Sequence, residues 1–94
     1  MLQKQELLVF FKALASEKRQ QIVVEIFLDG APHTVSEVAE RSKIAMSTAS
    51  THLSILKRAK ILTSQKVSKD VYYRGNQKYL AEVFRSLADR FSCC

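Results

Sequence analysis

Apolar residues recur at helical spacing along this chain except between Ile61 and Arg74. There, two short runs rich in β-branched and aromatic residues, Ile61 to Val67 and Asp70 to Arg74, flank Ser68-Lys69. That interruption predicts one β-hairpin in an otherwise helical domain. With only 2 Gly and 1 Pro and a hydrophobic share of 47%, the chain is too apolar for a disordered tail and too poor in turn residues for a β-sandwich. Its 94 residues predict a single domain over 1–94, with a core small enough that subunit pairing commonly supplements it.

Leu7, Phe10, Phe11 and Leu14 predict a first amphipathic helix from about Leu2 to Ala15. Ser16 is placed to cap a second, striped by Ile22, Val23, Ile26 and Phe27 and ended by Asp29-Gly30-Ala31-Pro32. Thr34-Val35-Ser36-Glu37 has the capping-box arrangement, in which the Thr hydroxyl and the Glu carboxylate each accept an amide at the start of a short helix running to about Ser42. After Lys43 and Ile44, a longer helix from about Met46 to Lys60 sets Ala49, Leu53 and Leu56 on one side. Two short helices joined by a tight turn and followed by a hairpin outline a helix-turn-helix with a wing. Asn76 to Cys94 then returns to helical spacing. The predicted fold is mainly α, with four helices, a two-stranded β wing and a C-terminal helix. The last stripe, Leu80, Val83, Phe84, Leu87 and Phe91, is long for a terminal helix. It predicts a two-fold homodimer interface, shared with the first helix.

The net charge of +6 is concentrated. Lys43, Lys57, Arg58, Lys60, Lys66, Lys69 and Arg74 stand against Asp70 alone between positions 43 and 74, while the remainder of the chain balances to zero. A surface facing a polyanion has this distribution, and so does a solvated basic face with no partner. Turning the fourth helix so that Ala49, Leu53 and Leu56 face inward points Ser47, Thr51, Ser54 and Arg58 outward, with Ser50 and Lys57 on one flank. Small hydroxyl side chains let a helix settle into a major groove, and Arg and Lys reach guanine or phosphate. Together with Thr48, these residues form the candidate DNA-reading set. Lys66 and Lys69 near the wing tip are placed for phosphates. Of Tyr72 and Tyr73, at least one is expected to pack on the helices rather than stack on bases.

Several segments, in order, resemble the ArsR/SmtB family of winged-helix repressors. Phe11-Lys-Ala-Leu-Ala-Ser-Glu-Lys-Arg-Gln-Gln-Ile22 is similar to the family's second-helix signature. Val35-Ser-Glu-Val-Ala-Glu40 with Ser47-Thr-Ala-Ser-Thr-His-Leu-Ser-Ile-Leu-Lys-Arg-Ala59 resembles its helix-turn-helix, and Val71-Tyr-Tyr-Arg74 the end of its wing. The resemblance implies a helical homodimer, double-stranded DNA recognition by the helix from Ser47 to Arg58, and repression relieved by an inducer. Ala45 stands where the family often has a hydroxyl cap, and Ser68 where the wing turn usually has glycine. Val35 to Glu40 holds no cysteine and Asn76 to Cys94 no histidine, so neither of the family's well-known metal sites carries over.

Cys93 and Cys94 are the remaining thiol candidates. A metal or metalloid bound by soft thiolates, a redox sensor, and a functionless terminus all stand as readings of them. His33 and His52 lack ligand partners at metal spacing and read as structural. Adjacent terminal cysteines form no disulfide framework, and the segment from Met1 to Glu6 shows no export signal. The longest apolar run, Leu7 to Phe11, is far short of the roughly 20 residues of a membrane span. The expectation is a cytoplasmic protein. No paired carboxylates, phosphate-cradling glycine loop or activated thiol point to an enzyme. The rival is a winged-helix module that binds acidic proteins and never touches DNA.

Overall fold

The computed structural model describes residues 2–92; Cys93 and Cys94, the expected thiol pair, lie outside them. The elements run α1 (Lys4–Ala13), α2 (Glu17–Glu25), a 3₁₀ turn (Phe27–Asp29), β1 (His33–Thr34), α3 (Val35–Ser42), α4 (Met46–Arg58), β2 (Leu62–Val67), β3 (Asp70–Gly75) and α5 (Gln77–Ser92). Each helix of the sequence reading is present among the described residues, with α1 and α4 shorter than expected. The wing differs, since the sheet is three-stranded in the order β1-β3-β2, with β1 antiparallel to β3 through His33↔Tyr73 and Thr34↔Tyr72. A two-residue strand has no periodicity to detect, and the same Thr34 carries the helix-capping signal.

Local chemistry explains most of the boundaries. The Ser16 hydroxyl accepts from the Arg19 amide at 3.3 Å and starts α2. The Thr34 hydroxyl accepts from the Glu37 amide at 3.2 Å and starts α3. The reciprocal half of the expected capping box is missing, because the Glu37 carboxylate is drawn to His33 at 2.6 Å and Arg41 at 3.1 Å. Both helices of the helix-turn-helix end alike. Lys43 and Lys60 take left-handed backbone (φ 57° and 67°), and the following Ile44 and Ile61 amides donate back to Ala39 and Leu56, each at 3.0 Å. This is the Schellman closure, whose partner is an apolar side chain just past the helix; Ile61 is fully buried and Ile44 packs against the core. At Gly75 a Cβ would lie 2.9 Å from the Phe27 carbonyl oxygen, so only glycine lets β3 pass this close to the 3₁₀ turn.

The core gathers one face of every helix. Phe10, Ile22, Val38, Leu53, Leu56, Ile61, Leu62 and Val83 are its largest fully buried side chains. Val83 therefore faces its own subunit's interior, which corrects its expected place in a dimer interface. On α5 the inward line is Val83 and Ser86, so Phe84, one residue on, is turned to solvent. Arg90 donates to the Leu2 carbonyl and ties the last helix to the first.

The pose of α4 is set from α2. Arg19 Nε donates to the Ala13 carbonyl at 2.6 Å and its Nη1 donates to His52 Nδ1 at 3.2 Å, so one guanidinium joins the end of α1 to the middle of α4. Lys18 Nζ reaches the Ser42 carbonyl at 3.4 Å. Burial first, then the charges of Arg19 and Lys18, hold the His52 pKa below the usual 6.5. The neutral ring is the form that accepts from Arg19.

Two outcomes are expected. The Ser86 hydroxyl is buried with no hydrogen-bond partner among the described residues, a situation that costs about 1–3 kcal/mol. Ser86→Ala should stabilise by about 1 kcal/mol, read as a rise of roughly 4–8 °C in Tm. Because His52 has a lowered folded pKa, the unfolded chain takes its proton first. Its contribution to stability is complete above pH 6.5 and declines on acidification below that value until the folded ring protonates too. Urea midpoints measured against pH should show this decline in the wild type, and His52→Gln should flatten it.

Candidate nucleic-acid interface

Helix α4 seats on the core through Ala49, Leu53 and Leu56, all at 0% exposure. With that side fixed, the 3.6-residue repeat turns Ser47, Thr48, Ser50 and Thr51 fully outward, along with Lys57 and Arg58 at the far end. Ser54 is half-buried at the waist of this ridge. The Thr51 hydroxyl donates to the Ser47 carbonyl at 3.0 Å. What Thr51 offers outward is therefore an acceptor and a methyl group. A base-edge amino group and a thymine methyl are the complements of such a side chain.

The N-terminal turn of α4 is open. Ala45 supplies no side-chain cap and the turn holds no acidic residue, so its leading amides keep their hydrogen-bonding capacity and positive dipole for an outside acceptor such as a phosphate oxygen. The absent hydroxyl cap noted in the sequence thus leaves these donors uncommitted.

The wing follows α4 in the chain and adds exposed cations. Its two-residue turn holds Ser68 at φ 59°, the left-handed geometry for which glycine is the usual choice. Lys66 and Lys69 on either side are exposed. Tyr73 is buried at 8% exposure, across from Ser64 and His33, while Tyr72 is half-buried. Tyr73 packs into the core, as the alternation of the hairpin predicts for at least one of the pair.

Of the seven cations between positions 43 and 74, only Lys60 has an ion pair among the described residues, to Glu6 at 3.6 Å. Lys43, Lys57, Arg58, Lys66, Lys69 and Arg74 are exposed and uncompensated. Two of the acidic residues are engaged away from these cations. Asp29 and Glu37 hold the two ring nitrogens of buried His33, at 2.8 and 2.6 Å. The Ala31 amide at 2.8 Å, then His33 and Arg41, keep the Asp29 carboxyl below its usual pKa. This chain of contacts clamps the 3₁₀ turn, β1 and α3 together; its members do not converge on a point where a metal would sit.

A second exposed surface is apolar. Phe84 and Phe91 on α5 are 60% and 89% exposed, and Leu8 and Phe11 on α1 are 52% and 50%. Phe10 stands edge-on to both Phe11 and Phe84, with centroids 5.7 and 6.0 Å apart, so the two helices form one aromatic face. Leu80 and Leu87 on α5 are partly buried and pack against the core. Leu8 and Phe11 were not among the expected interface residues. Their signal is a second stripe on α1, offset by one residue from Leu7 and Phe10.

Comparison with known proteins agrees with this geometry. Residues 14–65 match the family model described as a helix-turn-helix domain. The chain is 31% identical to the uncharacterized HTH-type transcriptional regulator YbzH of Bacillus subtilis, over 78% of this chain and 86% of that protein. It is also 31% identical to the transcriptional repressor SdpR of the same organism, over 77% of this chain and 78% of that one. Among solved structures, an ArsR-like transcriptional regulator from Rhodococcus sp. RHA1 superposes with a TM-score of 0.82 at 27% identity, covering 94% of this chain and 81% of its own. Among the described residues no helix is long and apolar enough to cross a membrane. The hydroxyl ridge, the basic wing and these likenesses together place the chain in the helix-turn-helix family, as an ArsR-like winged helix-turn-helix transcriptional regulator.

Proposed function

We propose that this regulator is a cytoplasmic, non-enzymatic repressor that grips duplex DNA as a homodimer. The observation that carries the reading is an exposed hydroxyl ridge on α4 together with exposed cations on α4 and the wing that have no counter-ion among the described residues. Ser47, Thr48, Ser50 and Thr51 enter the major groove and read base edges. Arg58 and Lys57 meet guanine or phosphate at the groove's margin, and Ser54 lies too deep for more than a minor contact. Lys66 and Lys69 bind flanking phosphates and add affinity without sequence preference.

Two copies join through the α1 and α5 face, where Leu8, Phe11, Phe84 and Phe91 are left bare by a single subunit. Leu80 and Leu87 back that face. A two-fold pair of α4 helices then addresses successive major grooves about 34–36 Å apart on a near-palindromic site. Repression is the outcome named for the relative SdpR, and a dimer seated across a promoter excludes other proteins from it.

Binding to a selected duplex should weaken with salt at a log–log slope near about −7, the value for roughly four phosphates neutralised per subunit. Lys66→Ala and Lys69→Ala should each reduce that slope by about 1 and weaken all duplexes alike, whereas Thr51→Ala should change the preferred sequence. A flat salt response, or retention of acidic proteins but not duplex, would remove the DNA reading in favour of a protein-binding module. Phe84→Glu combined with Phe11→Glu should turn the dimer into a monomer in sedimentation and depress DNA affinity at least tenfold, about 1.4 kcal/mol.

A further inference from the structure

Beside the α4 ridge, a groove of about 330 Å³ runs between α1, the start of α2 and the last turns of α4. Val9, Ala13, Ile55 and Ala59 make its floor, and Lys12, Arg19 and Arg58 stand around it. No carboxylate lines the groove, and among the described residues none of the three cations is ion-paired. Arg19 is pre-positioned, since its Nε and Nη1 are held by the Ala13 carbonyl and His52. Among the described residues its second terminal nitrogen has no partner.

Positive charge around an aliphatic floor specifies a particular ligand chemistry. Inorganic phosphate satisfies the charges but has no apolar body to cover Val9 and Ile55. A neutral hydrocarbon covers the floor and leaves the three lining cations without a counter-charge. We infer that the groove binds a small amphipathic organic anion, a carboxylate on an aliphatic or aromatic body, with the carboxylate against Lys12, Arg19 and Arg58. The volume is that of a small-ligand site. Val9, Arg58 and Ala59 also border an adjoining hollow of about 190 Å³, where Tyr79 offers further apolar surface. Glu6 at that end is paired with Lys60 at 3.6 Å, so the anionic group of the ligand belongs at the Lys12 end and its apolar body toward Tyr79.

Arg58 belongs to both this groove and the ridge proposed to meet DNA. An anion that draws the guanidinium into the groove withdraws a cation from the DNA side, so the two ligands oppose each other by linkage. This antagonism rests on the DNA reading above; the groove's own binding does not.

Octanoate, acetate and 1-octanol, titrated separately into the DNA-free protein and followed by backbone amide chemical shifts, test the site. Octanoate should give saturable shifts centred on Val9, Ala13, Ile55 and Ala59, with acetate and 1-octanol each at least about tenfold weaker. Lys12→Gln, an exposed change away from the α4 ridge, should weaken octanoate about two- to fivefold, and Val9→Gln should weaken it as well. The proposal is overturned if 1-octanol matches octanoate, if the shifts gather on Phe11, Phe84 and Phe91, if no saturable response occurs, or if Lys12→Gln has no effect. In a second measurement octanoate should lower affinity for duplex; octanoate seated in the groove with DNA affinity unchanged overturns the antagonism alone. Failure of the protein to bind any duplex is a failure of the DNA reading and leaves the octanoate titration to stand on its own result.

Discussion

The seating of α4 through Ala49, Leu53 and Leu56 is the contact on which the rest depends. Burying the two leucines completely is worth about 1.5–3 kcal/mol each, and the small Ala49 lets the helix backbone come close to its neighbours. Because side chains repeat every 3.6 residues, fixing that side determines which residues point outward. The hydroxyl ridge is thus a geometric consequence of the core. The left-handed closures at Lys43 and Lys60, each followed by an isoleucine tucked back against the domain, limit how far α4 can slide or rotate. Arg19 adds a third restraint through His52.

Charge is organised by the same division of inside and outside. Three acidic residues are engaged within the subunit: Asp29 and Glu37 clasp His33, and Glu6 sits by Lys60. The cations of α4 and the wing are left to face outward unopposed. Mutual repulsion among exposed charges is screened by salt over about 8–10 Å, so such a surface is tolerable in a folded monomer. It gains strongly when a polyanion supplies the missing counter-charge and releases its own condensed ions. A neutral remainder with a basic middle third therefore carries a small structural penalty and suits the proposed contact with DNA.

A domain this size has limited means of stabilising itself. α1 and α5 each carry two apolar lines, one for the subunit's own core and one displayed. On α1 the inner line is Leu7, Phe10 and Ala13, and the outer is Leu8 and Phe11. On α5 the inner line contains Val83 and Ser86, and the outer Phe84 and Phe91. Phe10 bridges the two surfaces by packing edge-on against one aromatic of each outer line. A shared aromatic of this kind makes the fold of one subunit and the shape of its outer face mutually dependent.

Periodicity, capping residues and the clustering of charge along the chain were enough to define the helices, the hairpin, the inward side of α4 and the basic stretch, because each arises from neighbours within a turn or a strand. They did not show that His33-Thr34 joins the sheet, that Glu37 abandons its capping role for His33, or that Val83 is enclosed while Phe84 is bare. The first and third depend on partners distant in sequence, Tyr73 across from His33 and α1 lying against α5, while the second is a local competition between His33 and the helix start for one carboxylate. The cation-rimmed groove likewise unites residues 9 to 19 with residues 55 to 59. Local pattern specifies which side of an element is apolar, but only packing in three dimensions decides what each side meets.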